Sequence, residues 1–221
     1  VAQRVGGQPV DLDRAGKRAG SCGAPHFAQT AAEAAPSAET EQASGRVLGV
    51  DPGLCRTGYA VLERGPEGPL LLEGGVIRST ARQPLATRVK ELYDGLREVF
   101  AQFRPAAMAI EQVFSAGRFP KSALLMSHAR GAILLAAAQQ PAPVAHYSAR
   151  QIKRMLTGSG NADKGQMQRA IQREFRLDRL LEPHDVADAA AVALCHFHVC
   201  RQRPAALQLL ERQFTRPAAT P

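Results

Sequence analysis

The chain has 221 residues, with 28 Lys and Arg against 20 Asp and Glu, a net charge of +8 and a pI near 9.9. That length holds one domain of roughly 150–180 residues plus tails, enough to bury a core without disulfide staples. The basic excess points to an acidic partner, nucleic acid first, and no apolar run reaches the length of a membrane span, so no membrane partner is expected.

Residues 1–45 carry Arg4, Arg14, Lys17 and Arg18 against Asp11, Asp13, Glu33, Glu39 and Glu41, so the positive charge belongs to the remainder. This opening segment is rich in small and polar residues without a sustained period. It reads as a disordered extension or an upstream start artefact. It has neither a signal-peptide core nor the acid-poor composition of a transit peptide, and a cytoplasmic location is the expectation. Cys22, Cys55, Cys195 and Cys200 show no CxxC spacing.

From Arg46 the order is regular, and 46–201 reads as the folded domain. Residues 46–51 predict a buried strand ending on Asp51. A second strand, 57–64, follows the tight "DPG" turn, and "GPEGP" (65–69) marks a hairpin into a third at 70–78. Leu85, Val89, Leu92, Leu96, Val99 and Phe103 recur at helical spacing over 84–103. Residues 107–112 predict a strand running into Glu111, 121–139 a long helix, and 143–146 a short strand. Ser148 and Gln151 form a capping box for a helix over 149–156. Gly-rich "TGSGN" (157–161) separates it from a helix over 163–175, and 184–199 is the last long helix. Within the tail 202–221, "ALQLLERQF" (206–214) suits a short amphipathic helix. Three antiparallel strands followed by alternating helices and strands predict a mixed α/β sheet with helices on its faces.

Three acidic features stand out on that frame. If the first and fourth strands are parallel neighbours, Asp51 and Glu111 end at the same edge, where open α/β sheets place their ligands. Asp185 and Asp188, spaced i, i+3, share one face in the first turns of the last helix. Small Ala187, Ala189, Ala190 and Ala191 let that helix approach the sheet. Four converging carboxylates repel unless cations bind, and oxygen-only ligation suits a pair of Mg²⁺ or Mn²⁺ ions clamping a phosphate. Taken singly, Asp51 could be a turn residue and Asp185 an ordinary early-turn acid. "CHFHVC" (195–200) invites a zinc site, but helical geometry turns Cys195 from Cys200 and His196 from His198. Arg150, Lys153 and Arg154 cluster on one short helix, with Lys164 beyond the Gly-rich loop, as a basic face or a phosphate-binding one. On helix 121–139, Leu124, Leu125, Met126, Ile133, Leu134 and Leu135 cover more circumference than one core stripe needs, which calls for a two-fold partner.

"LGVDPGLCRTGYAVL", "AIEQVF", "KSALLMSHARGAILLAA", "YSARQIKRMLTGSGNADKGQMQ" and "HDVADAAAVALCHFH" together resemble the RuvC family, from about Arg46 to about Arg201. The resemblance implies an RNase H-like five-stranded mixed sheet, three antiparallel strands then parallel ones, flanked by helices. It implies a homodimeric endonuclease of homologous recombination and DNA repair. Such an enzyme nicks two opposed strands of a four-way (Holliday) junction, leaves 5′-phosphate and 3′-hydroxyl ends, and works with the RuvA–RuvB branch-migration complex. Asp51, Glu111, Asp185 and Asp188 fall on the family's metal-binding carboxylates, Asp185 at a position that varies to His. Lys153 and Lys164 fall on its phosphate-contacting basic residues. Phe114 falls on the Phe that stacks on unpaired bases, whereas Phe119 reads as a core cap.

The chain departs from the family in its extension, in a longer "SAGRFP" segment, and in "SHARG" (127–131), where His128 replaces a common Gln. His184 stands beside Asp185. Rival functions are a YqgF-like nuclease acting on RNA, which lacks "AIEQVF" with "SARQIK", and a non-catalytic junction-binding module. An actin-like ATPase needs two such domains, for which 221 residues leave no room.

Overall fold

The computed structural model describes residues 45–112 and 120–214. The segment 1–44, the tail from 215, and Phe114 and Phe119 with most of "SAGRFP" lie outside the described residues.

In chain order the elements are β1 (Val47–Asp51), β2 (Arg56–Gly65), β3 (Gly68–Arg78), α1 (Leu85–Phe103), β4 (Ala107–Glu111), α2 (Pro120–Ala138), β5 (Val144–Tyr147), α3 (Ala149–Thr157), α4 (Lys164–Glu174) and α5 (His184–Phe214). The strands form one sheet in the order β3-β2-β1-β4-β5. The first three are antiparallel neighbours, and β4 runs parallel to both β1 and β5. This is the mixed sheet expected. β1 takes its centre because it is apolar on both faces, as a covered strand must be.

Alternation along the strands separates two cores. Leu48 and Val50 of β1, Tyr59 and Val61 of β2, and Met108 and Ile110 of β4 face α1 and α2, packing with Leu92, Leu96 and Ile133. Val47, Ala60, Leu62 and Ala109 face the other way, onto α5 residues from Val186 to Cys195.

The α5 side is packed backbone to backbone. A Cβ at Gly49 would stand 2.3 Å from the Ala189 carbonyl oxygen, and one at Gly58 only 1.9 Å from that of Asp185. Bare glycine at these two positions thus meets the start and the alanine run of the helix, which lets α5 approach β1 and β2 closely there.

The capping box of α3 is present, with the Gln151 backbone N–H donating to Ser148. Asp163 and Gln166 form another at α4, missed in the sequence. Two expectations need correction. The apolar pattern of the last helix fades near residue 199, but α5 runs on to Phe214, so 206–214 continues that helix instead of forming a separate one. Leu85, assigned to the inner stripe of α1, is 38 % exposed, because as the first helical residue it lies ahead of the buried stripe that starts at Leu92. On α2, Ala129, Ile133 and Ala136 are buried, while Leu124, Leu125 and Leu135 stand exposed on a second face.

Candidate active site at the ends of β1 and β4

Register and alternation decide where the acids point. Val50 pairs with Ile110 across the parallel β1–β4 ladder, so Asp51 and Glu111 follow at adjacent strand ends. Val50 and Ile110 face α1 and α2; the next residue on each strand therefore faces α5. Gly58, the partner of Asp51 on β2, is the residue against which the Asp185 backbone packs. One helical turn later comes Asp188. Parts of the chain separated by many tens of residues thus bring their carboxylates to one edge of the sheet.

The acids act on each other. Burial, then the charges of Glu111, Asp188 and Asp185, push the Asp51 carboxyl up to about 7. Burial and Asp188 raise Glu111 against the pull of Lys153. Burial raises Asp188 against Lys164 and His184, with Asp185 adding to the rise. Asp185 is held instead in an ion pair with Arg56, through Nη2 and Oδ2. Each outer acid thus has a cation beside it, whereas no cation counters the shift of central Asp51 among the described residues.

Of the basic residues named from the sequence, Lys153 acts electrostatically on Glu111 and Lys164 on Asp188. Arg150 lies instead against Gly160, and Arg154 lines an apolar hollow with Tyr147, Met155 and Cys195. His184 faces the site, its Nδ1 3.0 Å from Gln168 Nε2, whereas His128 is an exposed residue of α2. Sequence reasoning missed Arg56, whose signal was its place two residues before Gly58, hence on the same face of β2. It also missed the bracing of the loop after Asp51. Buried Thr57 donates from Oγ1 to the Gly53 carbonyl at 2.8 Å, and Arg88 reaches Ser79 Oγ and Cys55 Sγ at 3.1 and 3.0 Å.

The donor set fits hard divalent cations. It offers only oxygen, and its mutual repulsion is the kind that such an ion relieves. Among the described residues no three Asp, Glu, His or Cys side chains already gather as a metal cage. "CHFHVC" is otherwise engaged. His196 Nδ1 lies 2.8 Å from Tyr147 Oη and its Nε2 3.4 Å from Cys200 Sγ, while His198 pairs with Glu174. Burial pushes the Cys195 thiol up to about 11, which keeps it protonated.

These shifts set a pH dependence. An acid whose folded pKa is raised holds its proton in the native state after the unfolded chain has lost it. The stability this contributes is complete below the unfolded value of 3.8 and is lost as pH rises to about 7; Glu111 and Asp188 act in the same sense. Metal-free protein is expected to lose about 2 kcal/mol between about pH 5.5 and about pH 8 from Asp51 alone. Thermal unfolding in EDTA at the two pH values measures it, and Asp51→Asn should flatten the difference. Mg²⁺ should raise the melting temperature more at the higher pH.

Comparison with known proteins agrees with this geometry. The family model "Crossover junction endodeoxyribonuclease RuvC" matches residues 47–196, a span that takes in all four acids. The chain belongs to the RuvC family. RuvC of Rhodopirellula baltica is 48% identical over 151 residues, 67% of this chain and 84% of the relative. RuvC of Thermus thermophilus superposes with a TM-score of 0.67 at 32% identity, over 71% of this chain and 96% of that one. A second Thermus RuvC structure, in complex with Holliday junction substrate, gives 0.65 and 33%, over 70% of this chain and 94% of that one. RuvC relatives thus share both the sequence and the sheet that carries the acids.

Proposed function

We propose that the chain is a crossover junction endonuclease, which resolves four-way DNA junctions by paired hydrolytic nicks leaving 5′-phosphate and 3′-hydroxyl ends. The observation that supports this is that Asp51 and Glu111 end adjacent parallel strands while the start of α5, with Asp185 and Asp188, packs on Gly58 next to them. RuvC membership supports the substrate.

Asp51, Glu111, Asp185 and Asp188 would hold the metal. Bound Mg²⁺, or Mn²⁺ in its place, supplies charge neutralisation and activation of water for phosphodiester hydrolysis. The protein supplies position. Asp51 sits centrally on a rigid strand end, Glu111 flanks it, and Asp185 and Asp188 close the side towards α5. Lys153 and Lys164, beside the outer acids, offset the repulsion that an arriving phosphate meets, and junction affinity should fall steeply with salt. Arg150 and Arg154 on the same helix would meet DNA away from the acids, Arg150 beside the Gly-rich loop and Arg154 at the edge of the apolar hollow, and Phe114 would stack on unpaired bases at the crossover. RuvA–RuvB supply the junction.

Two opposed strands need two such sites related by a two-fold axis. Exposed Leu124 and Leu135 of α2, 62% and 58% accessible, supply an apolar face for a homodimer. Leu135→Glu is expected to give monomers by sedimentation and at least about tenfold weaker junction binding, the scale of one disrupted apolar anchor. A variant that stays dimeric and active at low concentration would count against this interface.

A nicking assay on a synthetic four-way junction, with linear duplex as the control, tests the function. Cutting of the junction in Mg²⁺ or Mn²⁺ is expected, with Ca²⁺ supporting binding but not cutting, because its looser coordination orients water poorly. Preference for an RNA substrate, or equal cutting in Ca²⁺, would contradict the proposal.

A further inference from the structure

Arg56 opens β2 on the α5 face of the sheet, and its guanidinium meets the Asp185 carboxylate. The Arg56 side chain is 42% exposed and that of Asp185 27%, so the pair is open to solvent. An ion pair that open adds little to stability, and β2 is already held by ladders to β1 and β3 on either side. The contact matters for what it occupies. Asp185 cannot give the same oxygen to a guanidinium and to a divalent ion without bringing two cations together. An arginine does not discharge by losing its proton; it can leave only by moving. Once displaced, its fork of N–H donors suits the oxygens of a phosphate.

Building on the junction-nuclease function, we propose that Arg56 has two seats. It neutralises Asp185 while the site is empty, and it turns to the DNA backbone when divalent ions and the junction arrive. The residue would then offset part of the repulsion among the acids in free protein. It would weaken metal capture in the absence of DNA and add one phosphate contact in its presence. Together with Lys153 and Lys164 it would complete a ring of three cations, one for each outer acid.

The test separates this role from simple bracing. Arg56→Gln is expected to bind Mn²⁺ without DNA roughly three- to tenfold more tightly than the parent chain, read by electron paramagnetic resonance; the scale is that of one neighbouring charge acting on a carboxylate. In an Asp51→Asn background, which prevents cutting, the same change should lower the salt slope of junction binding by about one. Arg56→Lys, which keeps the charge, should keep the slope. Thermal unfolding of Arg56→Gln, Asp185→Asn and the double variant should show coupling without Mn²⁺ and none when Mn²⁺ saturates. An arginine that merely braced Asp185 for metal would give weaker Mn²⁺ binding on removal. That result, an unchanged slope, or a coupling indifferent to Mn²⁺ would overturn the two-seat role. None of them bears on the nuclease function, which stands or falls on cutting by the unsubstituted chain.

Discussion

Asp51→Asn is expected to bind a synthetic four-way junction as well as the parent chain does, and to cut it at least about a thousandfold more slowly. The change is nearly isosteric, so the strand end and the Thr57-braced loop should survive it. What goes is the central negative oxygen, the one acid whose shift no cation counters among the described residues. Binding should persist or improve slightly, since an anion is removed from a site that receives phosphates. A gel-shift and a nicking assay on one sample separate the two effects. Equal cutting by the variant would sink the catalytic role of Asp51, and loss of binding with loss of cutting would point to misfolding.

Gly58→Ala is the second large effect, and it acts through packing. The added methyl would lie 1.9 Å from the Asp185 carbonyl oxygen, where no side-chain rotation can relieve the clash because both partners are backbone. Either the start of α5 lifts from the sheet or β2 shifts, at a cost of about 3 kcal/mol or more. A lifted helix carries Asp185 and Asp188 with it, and a displacement of about 1 Å in a reacting centre can cost roughly a hundredfold in rate. The expected outcome is a lower melting temperature with cutting reduced beyond the loss of folded protein. A variant with the parent's stability and activity would show that the approach of α5 is looser than described.

Much of the candidate site was legible in the sequence because the acids form a joint pattern on one class of sheet, although singly Asp51 and Asp185 look ordinary. Glu111 ends an apolar strand with no packing reason to be there, whereas Asp51 after "LGV" also suits the "DPG" turn. Their proximity followed from topology, once a parallel β1–β4 pair was inferred from alternating helices and strands. Arg56 was not legible. At the start of a strand, after a turn, it has the pattern of any surface arginine, and only the parity it shares with Gly58 turns it inward. Arg150 and Arg154 show how spacing alone leaves direction open. Their spacing on α3 resembled a single basic face, yet one turns to Gly160 in the Gly-rich loop and the other to an apolar hollow. The full length of α5 escaped because its apolar period fades near residue 199, while a helix needs only backbone hydrogen bonds to continue.

The acids come from three places in the order of synthesis, and the last two ride on the final helix. A ribosome that stops before residue 184 therefore releases a product with Asp51 and Glu111 but without the segment that seats on Gly49 and Gly58. Such a fragment lacks half of the carboxylates and the cover over one side of the sheet. The four acids thus meet only after the last helix has been made and has docked on the sheet.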